Sequence, residues 1–274
     1  MADLLEYSYM QRALVAGVLV GGLCALIGVY VVLKGLAFIG AGISHASLGG
    51  IALGVAAGVN PILSAFAFSV LVAWLIGVVS KRLSVREDTS IGIFFASAQA
   101  LGVLIIGLMR DYQVDLLGYL FGSIVSVTPA DVWIAGTVTF LVVLLVVLLF
   151  KDLLFMVFDS EMATVTGVPA SRLYFLLLTL IALTVVVAIK VVGIVLVSAL
   201  VVTPAAAAYQ LTESFRKMMA ISVVFGVASC VAGLILADVL RIAPGATIVM
   251  FVTVLFFSCA LVSPRRRRKR ASAS

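Results

Sequence analysis

The only histidine of the chain, His45, stands in the stretch Gly35-Leu-Ala-Phe-Ile-Gly-Ala-Gly-Ile-Ser-His-Ala-Ser-Leu-Gly-Gly50, which holds five glycines and two serines. Neutral imidazole ligates zinc, iron and other transition metals. At helical spacing His45 shares a face with Ala41, Gly42, Leu48 and Gly49. Gly42 and Gly49 are small enough to let an ion or water approach, and Ser44 and Ser47 bring hydroxyls close by. Two readings are open. His45 is either a weak waypoint on a cation pathway lined by Ser44, Ser47, Gly42 and Gly49, or a packing residue that hydrogen-bonds a neighbouring helix. One histidine alone is not a metal site, because zinc normally takes three or four protein ligands.

Asp238 is the second candidate metal ligand, in Ala237-Asp-Val-Leu-Arg-Ile-Ala-Pro-Gly245. Arg241, three residues on and on the same helical face, offers it an ion pair instead. Thr203 precedes Pro204 in an apolar run, where a proline frees backbone carbonyls and makes either a hinge beside a pathway or a plain kink. Enzymatic constellations are missing: the sequence contains no G-x-S-x-G, H-E-x-x-H or P-loop. A Ser44 or Ser47 dyad with His45 fails because residues one or two apart on a helix point in different directions. Cys24, Cys230 and Cys259 lack C-x-x-C spacing and read as reduced packing residues. No cofactor is expected.

These residues sit in a chain that is 64% hydrophobic and 11% charged, with a mean hydropathy of +1.33. Soluble domains carry about 25% charged residues, so this composition belongs in lipid. A spanning helix needs about 20 apolar residues. On that length the chain reads as an all-α, polytopic transmembrane bundle of about nine spans, with eight to ten allowed. The spans fall near 12–33, 37–57, 61–80, 90–109, 131–150, 172–189, 193–211, 217–238 and 245–262. The whole chain, 1–274, reads as a single transmembrane domain with no room for a soluble one.

Basic residues orient it. With the N-terminus outside, Lys34, Lys81, Arg82, Arg86, Lys151, Arg172, Arg216, Lys217 and the six-residue run Arg265–Arg270 lie inside. Only Arg12, Arg110, Lys190 and Arg241 lie outside, which is the positive-inside pattern. The net charge of +6 therefore reflects a basic cytoplasmic tail, 264–274, held by anionic lipid; nucleic acid is not a partner.

Two segments do not read as spans. Residues 111–130, broken by Gly118, Gly122 and Pro129, form an external loop with a short helix. Residues 151–172 are cytoplasmic. Within them Asp159-Ser160-Glu161 reads as a helix start and Gly167 with Pro169 as its stop. Phe158, Met162 and Val165 recur at helical spacing and need a partner to cover them.

Six ordered blocks carry a resemblance across roughly residues 10 to 264. They are the His45 stretch, Arg86-Glu-Asp-Thr-Ser-Ile-Gly-Ile, Val114-Asp-Leu-Leu-Gly-Tyr-Leu-Phe-Gly, Phe158-Asp-Ser-Glu-Met-Ala-Thr-Val-Thr-Gly-Val-Pro, Val191-Val-Gly-Ile-Val-Leu-Val-Ser-Ala-Leu-Val-Val-Thr-Pro-Ala, and Pro244-Gly-Ala-Thr-Ile-Val. In this order the chain resembles the zinc/manganese-type ABC transporter permease family. The resemblance implies a non-catalytic permease subunit of an importer for zinc, manganese or iron, working as a dimer in the cell membrane. It implies two cytoplasmic ABC ATPase subunits and an extracytoplasmic metal-binding protein. It also implies that Phe158, Asp159, Glu161, Met162, Val165 and Gly167 belong to the element that docks into the ATPase. The chain departs from the family at two places: Ala41 stands where many members carry Asp, and Arg241 where many carry an acid. The alternative reading is an ion-coupled secondary transporter, which needs no ATPase.

Overall fold

The structure, a computed structural model, describes residues 8–109, 127–240 and 242–263. The described residues form eleven helices: α1 (Ser8–Lys34), α2 (Ile39–Ala56), α3 (Pro61–Arg82), α4 (Glu87–Leu108), α5 (Pro129–Leu148), α6 (Phe150–Phe158), α7 (Ser160–Val165), α8 (Ala170–Val192), α9 (Ile194–Leu211), α10 (Phe215–Leu240) and α11 (Pro244–Val262). Of these, α1 (from Met10), α2, α3, α4, α5, α8, α10 and α11 are long and apolar enough to cross a membrane, eight in all. The span expected at 193–211 falls short, because its apolar stretch is only Leu196–Leu211. The expected external loop lies, but for its last residues, outside the described residues. So do Arg241 and the basic tail.

Apolar residues do not sort strongly between lipid and protein, so close packing of small residues decides which helices meet. Helix α1 shows this where it crosses α10. A Cβ added at Gly21 would stand 2.8 Å from the carbonyl oxygen of Gly226, so neither backbone tolerates a side chain there. Around this crossing α1 also packs on α9, α5, α8 and α6. Helix α2 is enclosed by α3, α4, α9 and α8. The outer faces of α4 and α5 carry exposed apolar side chains such as Val103, Leu104, Phe140 and Leu144, the surface a bilayer covers.

Helices α8 and α9 join without a loop. Gly193 between them has φ 88° and ψ 160°, a conformation open essentially to glycine alone, and it turns the chain in a single residue. Lys190 stands in the last turn of α8, where a cation opposes the helix dipole.

Candidate functional site

Helix α2 brings the chemistry-bearing residues into the bundle. It is buried on most of its circumference, and Ala41 and His45, one turn apart, are half-buried on its less covered side. The imidazole stands edge-on to Phe95 of α4, with ring centroids 4.5 Å apart. Its Nδ1 is buried and has no hydrogen-bond partner among the described residues. Buried polar atoms are rarely left unmatched, because each costs its full desolvation. The interhelical hydrogen bond that would make His45 a packing residue is therefore not formed at this nitrogen.

The neighbouring hydroxyls are turned inward on the helix itself. Ser44 Oγ donates to the Gly40 carbonyl at 2.6 Å, and Ser47 Oγ donates to the Ser44 carbonyl at 2.6 Å. Both serines are buried. Ser47 lines a small cavity with Ile62 and Ala65 of α3 and Val186 and Lys190 of α8, whereas His45 meets α4.

Helices α6 and α7 form the segment between α5 and α8. The Asp159 carboxylate caps α7, accepting from the Glu161 and Met162 amides at 3.1 and 2.8 Å. Gly167 ends it in the left-handed region, φ 88°. There the Val168 amide donates to the Ala163 carbonyl at 2.9 Å and the Gly167 amide to the Thr164 carbonyl at 3.1 Å, the paired bonds of a Schellman stop. Phe158, Met162 and Val165 are exposed, Val165 at 80%. An apolar face this open, on a helix of six residues, has no covering element among the described residues.

Residues 6–263, nearly the whole chain, match the family described as the ABC 3 transport family. The chain belongs to that family. It is 40% identical over 264 residues to the manganese transport system membrane protein MntC of Halalkalibacterium halodurans, covering 96% of this chain and 90% of that one. It is 34% identical over 269 residues to the manganese import system permease protein ScaB of Streptococcus parasanguinis, covering 98% and 96%. Among solved structures, PsaBC from Streptococcus pneumoniae in complex with Fab superposes with a TM-score of 0.88 at 32% identity, over 99% of this chain and 98% of that one. The metal-importer resemblance read from the ordered blocks is thereby established. The chain is a multi-pass membrane protein of a family of ABC transporter permeases.

Within this ABC 3 family member, three expected site residues sit differently from the sequence expectation. Gly42 and Gly49 do not open α2 to an ion within the chain. A Cβ at Gly42 would lie 2.8 Å from Ile91 Cγ2, and one at Gly49 would lie 2.8 Å from the Ala98 carbonyl oxygen. The space that the missing side chains leave is taken by α4. Asp238 is exposed on the last turn of α10. Helix α10 packs on α1, α9 and α11 while α2 packs on α3, α4, α8 and α9, so the fold does not bring Asp238 against His45. Among the described residues no group of three or more His, Cys, Asp and Glu side chains converges. Thr203 is half-buried, and α9 continues through Pro204.

One polar pair was missed by the sequence reading. Asp131, 6% exposed, accepts a hydrogen bond from Lys190 Nζ at 2.5 Å. It also forms a capping box with Thr128: Oδ2 accepts from the Thr128 amide at 3.0 Å and hydroxyl at 2.7 Å. The T-P-x-D start of α5 is legible as a cap. Its ion pair with a lysine 59 residues away is not.

Proposed function

We propose that the chain is the membrane-spanning permease subunit of an ATP-driven importer of divalent transition-metal ions, with manganese the favoured cargo. The family supports the transport class, and the names of the MntC and ScaB relatives favour manganese over zinc and iron. The observation that carries the role of His45 is its buried, unmatched Nδ1 on the half-open side of α2. Neutral imidazole at that position offers a lone pair to a passing cation. Because His45 belongs to no group of three or more His, Cys, Asp and Glu side chains among the described residues, the binding is weak enough to release the ion, as conduction requires. Water and a second permease copy complete the coordination, while Ser44 and Ser47 line the neighbouring side of α2.

The chain acts as one transmembrane domain, 1–274, with its C-terminal tail, 264–274, in the cytoplasm. The segment 151–172 couples it to two ABC ATPase subunits through the open apolar face of α7. An extracytoplasmic metal-binding protein delivers the ion. Hydrolysis of ATP belongs to the partner, and this subunit performs no chemistry of its own.

The test is uptake of radiolabelled manganese, zinc and iron in cells whose own importer is deleted. His45→Ala is expected to abolish uptake while the permease still co-purifies with its ATPase. His45→Asn, which keeps hydrogen bonding but weakens ligation, separates the two readings. Uptake by the Asn variant equal to the parent at every metal concentration would show His45 to be a packing residue.

A further inference from the structure

At the junction of α5 and α6 an open cleft of ≈ 580 Å³ is lined by Val147, Leu148, Phe150, Lys151, Asp152 and Arg216. Its walls and its rim have opposite character. Val147 and Leu148 are 65% and 68% exposed, and they continue the apolar outer face of a helix long enough to cross a membrane. Lys151 and Asp152 stand one turn further along the chain, and Arg216 enters from the start of α10. Lys151 and Arg216 are both exposed, and neither ends in an ion pair among the described residues.

The Arg216 side of the cleft is held from beneath. The guanidinium carbon lies 5.8 Å over the Phe150 ring, a cation–π distance. Phe150 in turn meets Phe215 edge-on at 5.6 Å. Phe215 touches Phe158 at 6.3 Å and the fully buried Tyr30 of α1 at 5.4 Å. This aromatic cluster holds Arg216 through its face, and among the described residues no ion pair takes up its N–H donors, which suit a phosphate. Arg216 is also the second residue of α10, whose positive end adds to the same field.

We propose that this cleft is a binding site for an anionic phospholipid, with the phosphodiester between Arg216 and Lys151 and the acyl chains along Val147 and Leu148. The charges match: two cations and the Asp152 carboxylate leave one excess positive charge, and a phosphatidylglycerol headgroup carries one negative charge. A zwitterionic phosphatidylcholine places its own choline cation at the same rim, so it is disfavoured. Because Phe158 ends α6 directly before the α7 cap, the bound lipid rests on the cluster that seats the ATPase-facing helix. The site itself depends only on the chain lying in a membrane.

The test uses the full-length permease in nanodiscs containing equal parts phosphatidylglycerol and phosphatidylcholine. Native mass spectrometry is expected to show phosphatidylglycerol retained several-fold over phosphatidylcholine. The Lys151→Gln/Arg216→Gln variant should bring the ratio near one. A photoactivatable phosphatidylglycerol should label the peptide containing residues 147–152. Because that labelling is done on the parent protein, it decides the matter even if the variant folds poorly. Equal retention of the two lipids by the parent, or labelling confined to other helices, overturns the proposal. So does a label lost on ATPase binding together with a cross-link from position 148 to the ATPase, which would assign the cleft to that partner.

Discussion

Lys190→Met should damage the protein more than Asp131→Asn, although the two residues share one ion pair. The asymmetry follows from burial, since the Asp131 side chain is 6% exposed and that of Lys190 is 38% exposed. In Asp131→Asn the amide oxygen still accepts from the Thr128 amide and hydroxyl, so the α5 cap survives in large part. Lys190 is released with an end that already reaches solvent. The loss is that of a partly screened pair, about 1 kcal/mol.

In Lys190→Met a carboxylate is left in a buried position, with only the two Thr128 donors to hold it. Removing one partner of a fully buried pair costs about 3–5 kcal/mol. The Thr128 donors and the exposure of Lys190 reduce this to about 2–3 kcal/mol. The double variant removes both charges and should fall near the milder single one, giving a coupling energy of about 2–3 kcal/mol. Reversible unfolding in mixed detergent micelles, run on the parent and the three variants, measures the cycle. The reasoning fails if Asp131→Asn is at least as destabilising as Lys190→Met, or if the two single effects add.

Four further outcomes are expected. A Cβ at Gly28 would overlap the Val201 carbonyl oxygen, so Gly28→Ala should cost about 1–3 kcal/mol by forcing α1 from α9. At Gly22 the nearest atom, Val227 Cγ2, is 3.4 Å away, and Gly22→Ala should be tolerated in the same unfolding assay. Tyr174 OH donates to Glu87 Oε1 at 2.8 Å, joining α8 just after the α7 segment to the helix that carries Phe95. Tyr174→Phe should cost about 1.5–3 kcal/mol, and adding Glu87→Gln should cost little more; full additivity in unfolding would disprove the pairing. A reporter fused after Arg270 should be cytoplasmic and one inserted at Asn60 external, and external labelling of the tail would reverse the orientation.

What the sequence determined was local or compositional. Hydropathy alone settled that the chain lives in lipid and is helical, because an unsatisfied backbone in hydrocarbon leaves few other choices. The α7 helix was readable at both ends, since Asp159 and Gly167 act on amides and carbonyls within a turn of themselves. The eight helices among the described residues that are long enough to cross fall within the expected eight to ten, and the ninth expected span is the shorter helix entered at a single-residue turn, Gly193.

The tertiary structure decided what each helix face meets. A glycine on a helix serves a pathway or a close contact equally well, and only the arrival of Ile91 and Ala98 showed that Gly42 and Gly49 serve contact. Likewise nothing within a few residues of Asp131 names Lys190, and nothing near His45 reveals that its Nδ1 would be left unmatched. In lipid the apolar residues carry little information about which helix packs on which. Those pairings come from the shapes of whole helix surfaces, which exist only once the bundle has formed.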